Sequence, residues 1–335
     1  MKKFLMFLLT LVLAVFLAAC GASDDTDTEA TDEPQQEETT EGEGAEEADE
    51  GEADAGTVEV THELDPNPVV VKKNPEKVVV FDFGILDTLD ALGVDQVVGL
   101  PKANVPSYLS KYEDDQYENV GSLKEPDFEA IHALQPDVIF ISTRQSDLYE
   151  EFAEIAPTVY VGLDTSNYME SFKNNMNIVA EIFDKKDEVN EAIENIEAKI
   201  AEIHEKASAL DETTLIVLGT EGKISAYGPG SRFGLIHDVL GFKPADEQIE
   251  ASTHGQNISF EYILEKNPGI LFVIDRDAAI SEESSVKETL ENDLVQKTDA
   301  YQNGKIIYLN PEYWYLSGGG LISVQEMIQE VATAL

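Results

Sequence analysis

The chain of 335 residues carries 67 acidic residues against 22 Lys and Arg, a formal net charge of −45 at pH 7. So acidic a composition excludes nucleic acid as a partner, because phosphate backbones are gripped by basic surface. The single cysteine, Cys20, excludes an internal disulfide, so folding rests on an ordinary apolar core.

In chain order, Lys2 and Lys3 come first, then an apolar run from Phe4 to Phe16, then Leu17-Ala18-Ala19-Cys20-Gly21. A basic start, a short apolar core and small residues at its end mark residues 1–19 as a signal peptide. The cysteine directly after two alanines resembles the lipobox of bacterial lipoproteins. That resemblance implies cleavage before Cys20, diacylglycerol on its thiol with palmitate-type acyl chains, and a lipid anchor on the outer face of the cytoplasmic membrane. A plain transmembrane anchor and a buried strand are the alternatives. Spanning a bilayer takes about 17–25 apolar residues, and this run is near the lower limit.

Residues 20–67 read as the lipidated N-terminus and an acidic tether. Between 21 and 60 there are 17 Asp or Glu and no Lys or Arg, so repulsion and low hydrophobicity predict disorder. A tether of this kind holds the folded part off the membrane. Calcium binding is the other use of such acids, but no twelve-residue loop with ligand spacing is present.

From Pro68 onward short apolar runs alternate with helical patterns. Val78–Phe81, Val97–Leu100, Val138–Ile141 and Thr158–Val161 read as buried strands of one lobe, 68–167. Thr214–Leu218, Ile270–Ile274 and Ile306–Leu309 read as strands of a second, 209–335. Continuous rather than alternating hydrophobicity predicts sheets covered on both faces by helices, so the expected fold class is α/β with two three-layer lobes. Between them, 168–208 holds neither Pro nor Gly. Met169, Phe172, Met176, Val179 and Phe183, then Val189, Ile193, Ile196, Ile200, Ile203 and Ala207, recur at helical spacing. The segment reads as a long helical linker with a joint at the polar Asp184–Asp187; a coiled coil would use the same spacing.

An internal repeat supports two lobes. Phe128–Arg144 aligns with Phe260–Arg276 at an offset of 132 without a gap, matching Phe128/Phe260, Glu129/Glu261, Ile131/Ile263, Pro136/Pro268, Phe140/Phe272 and Arg144/Arg276. Each copy reads as short helix, proline, buried strand, then arginine just past the strand end. In open α/β sheets the carboxyl ends of strands line the ligand crevice, so both arginines are expected at one cleft. Surface ion pairing is the alternative for each. A third arginine lies in Tyr227-Gly228-Pro229-Gly230-Ser231-Arg232-Phe233-Gly234, read as a glycine-rich turn entering a helix capped by Ser231 and stopped at Gly241. A cation at a helix N-terminus is disfavoured by the dipole, and an anion held between Arg232 and the free amides would offset this. Walker and dinucleotide spacings are absent, which argues against a nucleotide.

The lipobox, the two lobes on a helical linker, and Tyr227–Phe242 resemble the iron–siderophore branch of ABC-importer substrate-binding lipoproteins, most of all the catecholate, petrobactin-type receptors. The resemblance runs from about Pro68 to Leu335 and implies a helical-backbone siderophore receptor with its cleft between the lobes. It places Arg144, Arg232 and Arg276 against an anionic ferric complex, and His254 and Tyr315 as iron ligands when the chelator leaves positions open. Asp147 stands where such receptors often show a basic residue. It further implies an ABC permease dimer as partner, docked through Glu129 and Glu261, one acid per lobe. No permanently bound cofactor is expected: the ferric siderophore is cargo.

The chemistry agrees residue by residue. Guanidinium forks stay charged and offer several donors to catecholate oxygens. Aromatic rings, here Tyr227, Tyr313, Trp314 and Tyr315, can stack on flat catechols. Ferric iron is hard and suits phenolate, with imidazole acceptable. His132 and His237 sit in helical patterns and read as structural. No nucleophile elbow, no His-Glu-x-x-His and no free cysteine is present, so an enzyme is not expected. Haem, a corrinoid, a citrate-type siderophore, or a surface structural or adhesion lipoprotein binding no small molecule remain the other readings.

Overall fold

The computed structural model describes residues 56–281 and 286–335, so the signal, Cys20 and most of the tether lie outside the described residues. No helix among the described residues is long and apolar enough to cross a membrane.

The first lobe opens with an antiparallel hairpin, β1 (Thr57–His62) and β2 (Asp65–Lys72). It continues through β3 (Val78–Val80), α1 (Phe83–Ala91), β4 (Val97–Leu100), β5 (Glu118–Asn119), α2 (Phe128–Leu134), β6 (Val138–Ile141), α3 (Tyr149–Ala153) and β7 (Thr158–Tyr160). Its sheet has the order β5-β4-β3-β6-β7 and is parallel throughout. The helices α4 (Tyr168–Ile182) and α5 (Lys186–Ser208) follow. The second lobe comprises β8 (Thr214–Thr220), β9 (Lys223–Tyr227), α6 (Leu235–Asp238), β10 (Gln256–Ile258), α7 (Phe260–Lys266), β11 (Ile270–Asp275), α8 (Arg276–Ile280), α9 (Val286–Leu290), α10 (Asp299–Gln302), β12 (Ile306–Leu309) and α11 (Leu321–Ala332). Its sheet, β10-β9-β8-β11-β12, is mixed: β8, β11 and β12 are parallel, while β9 and β10 join antiparallel.

All seven expected strands form, and their unbroken hydrophobicity has the expected cause: β3, β6 and β11 are buried along their whole length. The repeat is structural as well as textual. Asp127 and Ser259 cap α2 and α7 through the amides of Ala130 and Tyr262. Gln135 and Asn267, one before each proline, both turn left-handed with φ of 51° and 40°. The strand after each proline then pairs with the central strand of its sheet: Val78 sits opposite Val138 in one lobe, and Thr214 opposite Ile270 in the other.

Two expectations need correction. The ordered fold begins at the hairpin, so residues 57–67 belong to it rather than to the tether; Val58, Val60 and Val71 alternate into the core and hold it there. The linker, by contrast, has the expected joint and consists of two helices. Asp184, at φ 52°, breaks them, and its carboxylate takes Lys73 Nζ at 2.9 Å and Asn74 Nδ2 at 2.8 Å. Helix α4 packs on β1, while α5, about 35 Å long at 1.5 Å per residue, packs on α4 and α11. The helix expected from Arg232 shrinks to Leu235–Asp238, because Ser231 donates its hydroxyl to the Gly228 carbonyl at 2.5 Å instead of capping.

The C-terminal segment returns to the first lobe. At the start of α11, the amides of Ile322 and Ser323 donate to the buried Asp87 carboxylate at 3.2 and 3.0 Å, and that of Leu321 to Thr88 Oγ1 at 3.1 Å. Asp87 thereby caps a helix through amides 235 and 236 residues away in sequence. Burial lifts its carboxyl to about 7, against the lowering effect of the Ser323 bonds. Tyr108 Oη adds a bond to Asp87 at 3.2 Å and a second contact to Ser317 at 2.7 Å.

Candidate ligand-binding site

Pro311 leads into a single wide turn of π-helix, Glu312–Ser317, which carries Trp314 and Tyr315. The turn is held at both ends. Trp314 Nε1 donates to Glu330 at 2.9 Å on one side, and Gly318–Gly320 run into the Asp87 anchor on the other. Tyr315 is thus presented from a fixed frame to a cavity of about 330 Å³ between the lobes.

The chain has three arginines in all, and every one of them meets Tyr315. Arg144, in the turn after β6, donates Nη2 to the Tyr315 carbonyl at 2.7 Å. Arg232, from the glycine-rich loop, donates to the same carbonyl at 2.7 Å, with its guanidinium carbon 4.3 Å from the ring centre. Arg276, the first residue of α8, donates Nε to the phenol oxygen at 2.8 Å. The expected convergence of Arg144 and Arg276 from opposite lobes is observed, and Arg232 joins them at the same residue.

Placing three cations around one tyrosine has electrostatic consequences. Burial, and then the Arg144 cation, pull Arg232 below the ordinary arginine range. Burial alone would raise the Tyr315 phenol. The Arg276 hydrogen bond and the charges of Arg232, Arg276 and Arg144 outweigh it and bring the phenol below the ordinary tyrosine range. A phenol so placed is the easier to use as a phenolate. In a chain of net charge −45, the cluster is a local positive focus for an anion.

A family model described as periplasmic binding protein matches residues 78–313, which span both lobes and all three arginines. The chain belongs to this family. It is 50% identical over 336 residues to the petrobactin-binding protein YclQ of Bacillus subtilis (strain 168), covering 100% of this chain and 99% of that one. The crystal structure of YclQ matches with a TM-score of 0.81 at 55% identity, over 83% of this chain and 98% of that one. The periplasmic catecholate-siderophore binding protein VctP of Vibrio cholerae matches with a TM-score of 0.79 at 33% identity, over 83% of this chain and 100% of that one.

Within this periplasmic binding protein, not every expected residue reaches the cavity. Trp314 lines it, as do Arg144, Arg232 and Tyr315, while Arg276 stands behind the Tyr315 phenol. Tyr227 is corrected from a ligand-facing ring to a buried support. It ends β9, is 2% exposed, and packs edge-on against Phe233 at 4.6 Å, so Phe233 takes the cavity position. His254 is exposed on the loop 251–255, and its neighbour Thr253 is the residue that lines the cavity. The anion site expected at the Arg232 amides is occupied from within: Gly230 N donates to the Asp238 carboxylate at 2.6 Å. His237 is structural, as expected, with Nδ1 2.8 Å from the Phe242 carbonyl.

Asp82 and Thr165 escaped the sequence reading. Asp82 follows β3, caps α1 by accepting from Ile85 N at 2.9 Å, and lines the cavity near Arg144, with burial raising its carboxyl. An acid just past the end of a strand as apolar as Val78–Phe81 is a visible signal for a crevice residue. Thr165 Oγ1 donates across the cleft to the Gly230 carbonyl at 3.1 Å, and nothing in its local sequence marks it.

Proposed function

We propose that this protein captures a ferric catecholate siderophore of the petrobactin type outside the cytoplasmic membrane and delivers it to an ABC permease. The observation that carries this is the convergence of all three arginines on Tyr315 at the interlobe cavity. It is a binding protein and not an enzyme, a ferric siderophore binder by family and by kinship with YclQ and VctP. Arg144 and Arg232 exchange the Tyr315 carbonyl for catecholate oxygens, Trp314 and Phe233 face the flat rings, and Tyr315 offers phenolate to iron. His254, one residue from the cavity wall, supplies imidazole from the rim. Cys20 carries the lipid that keeps the protein at the membrane. The ferric siderophore is cargo, and no group is permanently bound.

Tyr315→Phe separates the two roles of this residue. Complexes whose chelator fills every iron position should bind the variant within about threefold of wild type, since the carbonyl and ring remain. Complexes with open iron positions should lose about tenfold or more, roughly the worth of one ligand bond at 1.4 kcal/mol per decade. Isothermal titration with both classes checks this. Equal losses in both would remove direct coordination.

Glu129 and Glu261 are the proposed docking pair. Both are exposed in the first turns of the repeated helices α2 and α7, one in each lobe. Two carboxylates related by the repeat suit a two-fold permease mouth carrying arginines. Reversing both charges with lysine should leave siderophore affinity in solution within about twofold but cut uptake by whole cells several-fold, since rim charges set docking rather than cleft chemistry. Normal uptake at limiting siderophore, with the variant present at wild-type level, would reject the assignment.

A further inference from the structure

Sheet order decides which loops flank the cavity. In the first lobe β3 and β6 are neighbours, and the residues after them, Asp82 and then Ser142, Thr143 and Arg144, stand in the cavity wall. Outside this pair lie β4 on one side and β7 on the other, and the loop after each reaches the second lobe. The loop after β4 does so with three hydrogen bonds. Asn104 Nδ2 donates to the Ile280 carbonyl at 3.0 Å, and the amide and hydroxyl of Ser107 donate to the two Glu312 carboxylate oxygens at 3.1 and 2.7 Å. Tyr108 adds a ring contact with Tyr313 at 4.8 Å. On the opposite flank, among the described residues, the loop 161–167 after β7 crosses with a single hydrogen bond, from Thr165 Oγ1 to the Gly230 carbonyl at 3.1 Å.

That one bond ends on the loop that carries Arg232. The loop is braced within itself, by Gly230 N on Asp238 at 2.6 Å and by the Ser231 hydroxyl on the Gly228 carbonyl at 2.5 Å, so it moves as one piece. Two hydrogen bonds tie it to the groups it faces: Arg232 to the Tyr315 carbonyl, and Thr165 to Gly230. An incoming anion replaces the first, because its oxygens take over the guanidinium donors. It replaces nothing in the second. Opening at the glycine-rich loop therefore loses one bond without return, against three at the β4 flank. A second cavity of about 330 Å³ adjoins on the β7 flank, with Leu163 and Asp164 in the walls of both. We propose that Thr165 is the latch of the ligand entrance: it holds the Arg232 loop shut across the cleft, and capture and release proceed by its opening while the β4 flank stays closed. That a ferric siderophore is what passes rests on the function proposed above.

Thr165→Val removes the hydroxyl and keeps the shape; Thr165→Ser keeps the hydroxyl. Asn104→Ala together with Ser107→Ala loosens the other flank. Trp314, the one tryptophan of the chain, is 3% exposed and stands in the cavity wall, so it reports entry without any siderophore. In the free full chain its quenching constant with acrylamide should rise about threefold to tenfold in Thr165→Val, the span set by the net worth of one hydrogen bond. It should stay within about twofold of wild type in Thr165→Ser and in the β4-flank double variant. Stopped-flow quenching with a ferric catecholate should show the association rate rising by the same order in Thr165→Val alone. An unchanged acrylamide constant in Thr165→Val would overturn the latch. So would a rise as large in Thr165→Ser or in the double variant. A Thr165 that merely supports the fold would lower thermal stability and move neither quenching readout, which also overturns it. Failure of every ferric catecholate to bind the wild type, with the acrylamide order intact, would remove the siderophore from the account while upholding the latch.

Discussion

Arg232→Ala is expected to weaken binding of every anionic ferric catecholate by about 2–4 kcal/mol, roughly 30- to 1,000-fold. Arg232 lies over the Tyr315 ring and shares a carbonyl with Arg144, with each N–H···O contact at 2.7 Å. Among the described residues, the arginine ion pair is Arg276 with Asp277; Arg144 and Arg232 have no carboxylate at pairing distance. Burial and the neighbouring Arg144 disfavour the Arg232 cation in the free protein, so its charge is held for a ligand at a cost to the empty state. The variant should therefore keep or slightly raise its thermal stability while affinity collapses. Calorimetric titration and thermal unfolding on the same sample check both halves. A variant that loses stability and affinity together would make Arg232 a structural residue.

The second large effect is on stability. Gly320→Ala should cost about 3–5 kcal/mol, the range for overpacking at a fixed contact that also breaks a buried hydrogen-bond network. A Cβ at Gly320 would land on the Asp87 carboxylate and the Gly84 carbonyl oxygen. From the other side, a Cβ at Gly84 would sit 2.8 Å from backbone atoms of Gly319 and Gly320. The α1–α11 junction is thus closed by backbone against backbone, with Asp87 bonded to two amides inside it. The Asp87 side chain is fixed by its two amide bonds and the other contacts are backbone, so neither side can yield. Gly304→Ala is the matched control. Its φ is +66° with nothing within 4 Å, so it should cost only the left-handed backbone penalty of about 1–2 kcal/mol. Chemical denaturation of both variants measures the difference; equal losses would mean that the junction can part to admit a methyl.

The strands and the two-lobe plan were legible because buried parallel sheet leaves an unmistakable trace, four or five consecutive apolar residues, and because proline after a short helix marks both copies of the repeat. The hairpin β1–β2 was not. Its residues 57–62 follow directly on an acidic stretch, and Asp65, Asn67 and Pro68 lie within β2, residues that ordinarily argue against a strand. The missing helix after Ser231 shows local chemistry overruled by a tighter alternative. Serine was expected to accept from the following amides, but its hydroxyl reaches back three residues to Gly228.

The site was legible in its charges and less so in its aromatics. The signals were the internal repeat, which marked Arg144 and Arg276, and the glycine-rich loop, which marked Arg232. Tyr227 misled because proximity in sequence to Arg232 does not fix direction, and the alternation of β9 turns its ring into the core. Asp87 and Thr88 reach amides of α11 at least 233 residues away, which spacing alone cannot disclose.

Trp314 is the only tryptophan of the chain, and it lines the cavity beside Tyr315. Quenching of its fluorescence on titration with ferric catecholates, citrate-type complexes, haem and a corrinoid therefore tests the account most directly. The expected result is saturable quenching by a ferric catecholate with Kd below about 10 μM, about 7 kcal/mol of binding, and tighter than for any other member of the panel. Absence of binding to every catecholate complex, or tighter capture of haem, corrinoid or citrate complexes, would contradict it.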